Sequence, residues 1–186
     1  MKKTFLIISI LSVIFLTSCG IFNLNGFIVP EPGKAEFMTI VEKLDTPQKI
    51  SDYMLENFTY QKHLFYAPSP YQLWLTKNGD CNDFATFGVF VTHWHGLNET
   101  YQIKIYYCGT IIKHFIAIYI EDDGLSFTDC QYYNLCLPDG YRFNTFKEIV
   151  EYDGTLRTIG WPVWTKYIVY YYDGNIKEVG YNDNVY

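Results

Sequence analysis

The stretch GDCNDFATFGVFVTHWHG, residues 79–96, decides the fold. It opens on Gly79 and Asp80, a turn residue and a good helix N-cap, and closes on Gly96, where a left-handed C-terminal residue belongs. Between them Phe84, Ala85, Gly88 and Val91 recur at helical spacing and predict a helix from about Cys81 to Trp94. After Gly96 the period falls to two. Strands are expected at 101–107, 112–120 and 125–131, with turns at Gly109 and at Glu121-Asp122-Asp123-Gly124. Ahead of Gly79, helices are expected over 35–44, from Thr46-Pro47 through Phe58, and from Ser69-Pro70 through Leu75; the last two begin with an N-cap and a proline. A short helix near 145–151 comes next, then a hairpin of 165–172 and 175–181 turning at Asp173-Gly174. Helices followed by an antiparallel meander make an α+β fold, with N-terminal helices packed on an antiparallel sheet.

Cys81 heads the deciding helix. Unpaired amides and the helix dipole there favour a thiolate, and Gly79 leaves room for a substrate. Asp80 reads as the N-cap, and Asp83 complements the dipole. A cysteine nucleophile also needs a base and a group that orients the base. His63 lies in a loop-like stretch, and His93 would be roughly 18 Å along the helix from Cys81. His114 sits in a strand, where alternation groups it with Ile116, Ile118 and Ile120. Asp129 is grouped likewise with Leu125 and Phe127. A two- or four-residue connection puts His114 and Asp129 on one face, roughly 4.5 to 8 Å apart at the backbone; a three-residue loop separates them. The otherwise apolar face is expected to pack on the Cys81 helix through Phe84, Ala85, Gly88 and Val91. A plainer reading is a buried histidine satisfied by a carboxylate. A cysteine at a helix start points instead to nucleophilic catalysis.

At the amino end, Lys2 and Lys3 precede an apolar run from Phe5 to Phe15, broken only by Ser9 and Ser12. Residues 1–18 read as a signal peptide, too short to span a membrane comfortably. Leu16-Thr17-Ser18-Cys19-Gly20 has the pattern of a bacterial lipobox, with Cys19 lipidated; the alternative is a secretory signal with a chance cysteine. Both take the protein out of the cytoplasm, and the lipobox places it in the cell envelope, anchored to the membrane. Residues 19–34, with Gly, Asn and Pro throughout, read as a tether, and residues 35–186 as one domain.

Cleavage removes two lysines and no acid, so the formal charge of −6 becomes −8. An acidic domain is a poor ligand for phosphate backbones, and nucleic acid is not an expected partner. The expected membrane contact is the lipid on Cys19. Cys108, Cys130 and Cys136 are left over; three cannot pair fully, and they read as small buried side chains. His93 and His95, two apart on a helix, do not share a face. Glu121-Asp122-Asp123 reads as a solvated turn. No metal and no cofactor are expected. The 18 tyrosines and 14 phenylalanines supply core volume. Tyrosines within 167–172 are expected in sheet packing, with a binding face as the alternative.

Gly79-Asp80-Cys81-Asn82-Asp83-Phe84-Ala85 resembles the nucleophile motif of the transglutaminase-like superfamily, whose core is papain-like. Lys113-His114-Phe115-Ile116-Ala117-Ile118 resembles its histidine strand, and Phe127-Thr128-Asp129 its aspartate strand. The order matches, as do the gaps of 33 and 15 residues. The resemblance covers about residues 46–135. It implies that Cys81 is nucleophile, His114 general base and acid, and Asp129 the orienter. The Cys81 amide is one oxyanion donor. Family members often draw a second from a side chain ahead of the cysteine, for which Tyr60, Gln72 and Trp74 are the candidates; Trp74 also reads as a packing residue. The implied activity is acyl transfer through a thioester, of cysteine peptidase, amidase or transglutaminase type, on protein or cell-wall peptide. The rival readings are a catalytically inactive member acting as a protein- or glycan-binding module, and a structural envelope lipoprotein with Cys81 simply buried.

Overall fold

A computed structural model describes residues 33–63, 68–97, 99–107, 113–158 and 165–182. The signal peptide, Cys19, the tether up to residue 32, Cys108 and the Gly109 turn lie outside the described residues.

Helices α1 (Lys34–Val41), α2 (Pro47–Asn57) and α3 (Pro70–Thr76) come first. Thr46 caps α2, accepting from the Lys49 amide, and Ser69 and Gln72 form a reciprocal capping box on α3. Short strands β1 (Thr59–Tyr60) and β2 (Asn78–Gly79) pair in parallel, which sets Tyr60 opposite Gly79. Helix α4 (Cys81–Trp94) follows, and Gly96 takes the left-handed conformation behind it, at φ 80°. The rest is β3 (Thr100–Tyr107), β4 (Lys113–Glu121), β5 (Gly124–Asp129), β6 (Tyr132–Tyr133), α5 (Phe146–Thr158), β7 (Thr165–Tyr171) and β8 (Ile176–Asn182). The six long-sheet strands run antiparallel in the order β6-β5-β4-β3-β7-β8, and the fold is α+β. No helix of the described residues is long and apolar enough to cross a membrane.

Helix α4 does not cover the face that bears His114. That face carries Ile103, Ile105, Ile116, Ile118 and Phe127, and it packs against Ile149 and Val150 of α5. Helix α4 lies on the opposite face, where Ala85 and Val89 meet Ala117 and Tyr119. Its other side, Phe84, Phe87 and Val91, joins Ile50, Met54, Leu73 and Trp74 in a second core. The first three helices therefore gather around α4, and of these four α4 lies most broadly over the sheet. The cause is that β4 is apolar on both sides, so two helices sandwich it. Gly88 permits the close contact: a Cβ there would sit 2.4 Å from the Tyr119 hydroxyl and 3.2 Å from the Ala117 Cβ.

Helix α5 runs to Thr158 rather than ending near 151. That extra length brings Asp153 and Arg157 to the site.

Candidate active site

Cys81 is the first residue of α4. Its amino end is held by a capping box: Asp80 accepts from the Asn82 amide at 3.0 Å, and Asp83 accepts from the Asp80 amide at 2.7 Å. His63, carried just beyond β1, bonds the same Asp83 oxygen and lies 3.8 Å from Asp80. The Asp83 bond leads in holding the His63 ring above its ordinary pKa. Burial leads in pushing Asp83 up, against the bonds from His63 and the Asp80 amide. His63 is thus the local cation for two carboxylates, a structural use that a loop-like reading of residue 63 missed.

His114 and Asp129 come from neighbouring strands. The turn at Asp122 and Asp123 fixes Ile116 opposite Asp129 and Ile118 opposite Phe127, the register that puts the pair on one face. Both are buried, and His114 Nε2 donates to Asp129 Oδ1 at 2.7 Å. Cys81 also acts on the ring, after Asp129, among the side chains that raise its pKa. Since Nε2 serves Asp129, Nδ1 is the nitrogen left to meet the sulfur. Burial opposes the ring's charge, but the Asp129 bond and the Cys81 side chain, with the charges of Asp129 and Asp153, prevail and hold its pKa at about 9. Asp129 is likewise held below its ordinary value: burial works against this, and His114, Arg157 and a Cys130 hydrogen bond outweigh it.

Three side chains that the sequence did not flag, Arg157, Asp153 and Tyr107, complete the centre. Arg157 Nη2 donates to Asp129 Oδ2 at 2.6 Å, and Nε donates to Asp153 Oδ1 at 2.9 Å. Tyr107 donates its hydroxyl to the other oxygen of Asp153, which is fully buried. Nη2 also lies 2.6 Å from His114 Nε2. Both nitrogens carry protons directed at the same carboxylate, so this proximity follows from their shared acceptor. With His114 protonated, the charges alternate outward from it as plus, minus, plus and minus through Asp129, Arg157 and Asp153. Asp153 and Arg157 stand four apart on α5, a spacing readable as a helical ion pair; nothing local ties them to residue 129.

Cys130 takes φ 52°, unusual for a side-chain-bearing residue. Gln131 anchors this turn, donating to the carbonyls of Met54 at 2.9 Å and Phe58 at 2.5 Å. Burial, then the charges of Asp129 and Cys81, pushes the Cys130 thiol up, so it stays protonated.

Of the oxyanion candidates, only Tyr60 is brought toward Cys81. Its phenol is held above the ordinary value by burial, then by the charges of Cys81, Cys130 and Asp80. Gln72 is spent on the α3 cap. Trp74 is a core residue packed against the rings of Phe37 and Tyr71. Local capping engages Gln72, and Trp74 takes the packing role that the sequence also offered.

Among the described residues, two groups have ligand atoms within 4.8 Å of one another, His114-Asp129-Cys130 and His63-Asp80-Asp83. The Arg157 guanidinium takes a cation's place in the first, and in the second the His63 ring, held above its ordinary pKa, bonds Asp83. His93 stacks on Tyr172 at 4.0 Å, whereas His95 bonds the Val41 carbonyl. Cys81, Cys130 and Cys136 are unpaired.

No protein-family model matches the chain, and no curated protein matches it in sequence. The geometry therefore carries the functional argument alone.

Proposed function

We propose that the chain is a lipid-anchored envelope enzyme with a papain-like, transglutaminase-type core, transferring acyl groups of peptides or carboxamides through a thioester on Cys81. The observation that carries this reading is the His114 ring, bonded to the Asp129 carboxylate, with the Cys81 thiol at a helix amino end among the groups that raise its pKa. An imidazolium in that position pairs with a thiolate.

In this reaction the Cys81 sulfur attacks a carbonyl carbon, and the C–N bond breaks as His114 protonates the leaving amine. Water or a second amine, giving a proton back to His114, then releases the acyl group. The Cys81 amide and the Tyr60 hydroxyl are the proposed donors to the developing oxyanion. Asp129 holds the ring in place, and Arg157 holds Asp129. The lipobox pattern at Cys19 and the signal sequence support the envelope assignment.

The test is alkylation of the full-length chain, in neutral detergent, by iodoacetamide across pH, with adducts mapped by mass spectrometry. Cys81 is expected to react selectively below about pH 7, and to lose that advantage in His114→Ala. Uniformly slow labelling of Cys81, Cys130 and Cys136 would overturn the reading.

A further inference from the structure

The strands turn a second face away from α5, and beyond α4 no described element packs broadly on it. Register places Lys113, Tyr106, Lys166 and Tyr181 in one row across β4, β3, β7 and β8. The next row is Phe115, Lys104, Ile168 and Val179. Lys113 is exposed, Tyr181 and Val179 are each 45% exposed, and the others are half-buried. Lys104 Nζ lies 5.1 Å from the Tyr106 ring centre and 5.3 Å from that of Phe115; Lys166 Nζ lies 5.9 Å from that of Tyr181. Neither row contains a carboxylate. Glu178 of β8 points to the other face, where the Tyr167 hydroxyl donates to it at 2.7 Å. A three-lysine face on a chain of net charge −6 is a local reversal of sign.

Lys113 and Lys166 are two strands apart, about 10 Å, with a tyrosine between them. A groove of about 280 Å³ continues the face past Gln102 and Tyr170.

We infer that this face binds a carboxylated glycan. Sugar rings present C–H faces to tyrosine and phenylalanine, and carboxylates pair with the lysines. Cations separated by one aromatic ring suit a polymer of acidic sugars, which offers carboxylates and ring faces along the same chain. A duplex nucleic acid carries one charge per ~1.7 Å and would be repelled more strongly than an acidic glycan by the rest of this chain. An acidic peptide offers carboxylates but few ring faces. The surface is separate from the acyl-transfer centre and does not depend on it.

The experiment is affinity electrophoresis of the full-length chain, in neutral detergent, with polygalacturonate, a neutral glucan, poly-glutamate or single-stranded DNA fixed in the gel. Mobility is compared with a polymer-free gel. Retardation by polygalacturonate alone is expected. Lys104→Glu with Lys166→Glu should weaken it about tenfold or more. Tyr106→Ala should weaken it severalfold, and Lys104→Gln with Lys166→Gln, which keeps the stems, should weaken it with unchanged melting. Cys81→Ser should bind like wild type, so this surface can fail without the enzyme reading and the reverse. Absence of retardation, equal retardation by any of the other polymers, or indifference to the double charge reversal would overturn the assignment.

Discussion

At the scale of single residues, the centre is a line of alternating charge. Arg157 is its adjustable member, reaching from the rim with its side chain 35% exposed. Replacing it by Gln removes a cation 2.6 Å from the His114 ring and frees Asp129 to act on that ring alone. Both changes favour the imidazolium, so the His114 pKa should rise above its value of about 9, read by NMR titration of the ring. A fall would mean that Arg157 does not act on this pair. Asp153→Ala strips Arg157 and Tyr107 of their shared partner and should cost about 3 kcal/mol, measured by denaturant unfolding. Cys81, His114 and Asp129 were legible because alternation and turn length are local rules. Asp153, Arg157 and the anchoring role of Gln131 were not, since each matters through a partner distant in sequence.

Among the secondary-structure elements, helix starts were the most legible feature. Thr46, Ser69 and Asp80 each accept the backbone amide that their position predicts. The pairing of β4 with β5 was equally open to reading, because a tight turn allows few registers. The side of the sheet that α4 covers was not. Ile116 and Ile118 alternate with Ala117 and Tyr119 along β4, and all four are buried, so no polar face marks the outside. The small residues of α4 did announce close approach, but toward Ala117 and Tyr119 rather than toward the His114 face. Gly88→Ala tests that contact. The added methyl meets the Tyr119 hydroxyl, which itself accepts from Thr128 at 2.9 Å. A loss of about 1–3 kcal/mol in unfolding free energy is expected. Stabilisation, as at an open helical glycine, would show that α4 packs more loosely than described.

For the molecule as a whole, the pair links folding to pH. The His114 pKa is raised from 6.5 to about 9, so its contribution is complete below pH 6.5 and is lost as pH climbs through 9. Asp129 is shifted the opposite way, below 3.8, so its contribution is present above that value and is lost on acidification. Denaturant midpoints should hold level between these limits and fall on either side. In His114→Ala the alkaline decline should flatten relative to wild type. An unchanged decline would place the titrating group elsewhere.

Arg157 stands 76 residues after Cys81. A ribosome therefore releases the sulfur long before it releases the guanidinium that braces Asp129. Until α5 docks, a growing chain holds a thiol and a base without the clamp that aligns them. On the acyl-transfer reading, a product truncated ahead of α5 would carry the thiol and the base with Asp129 unbraced.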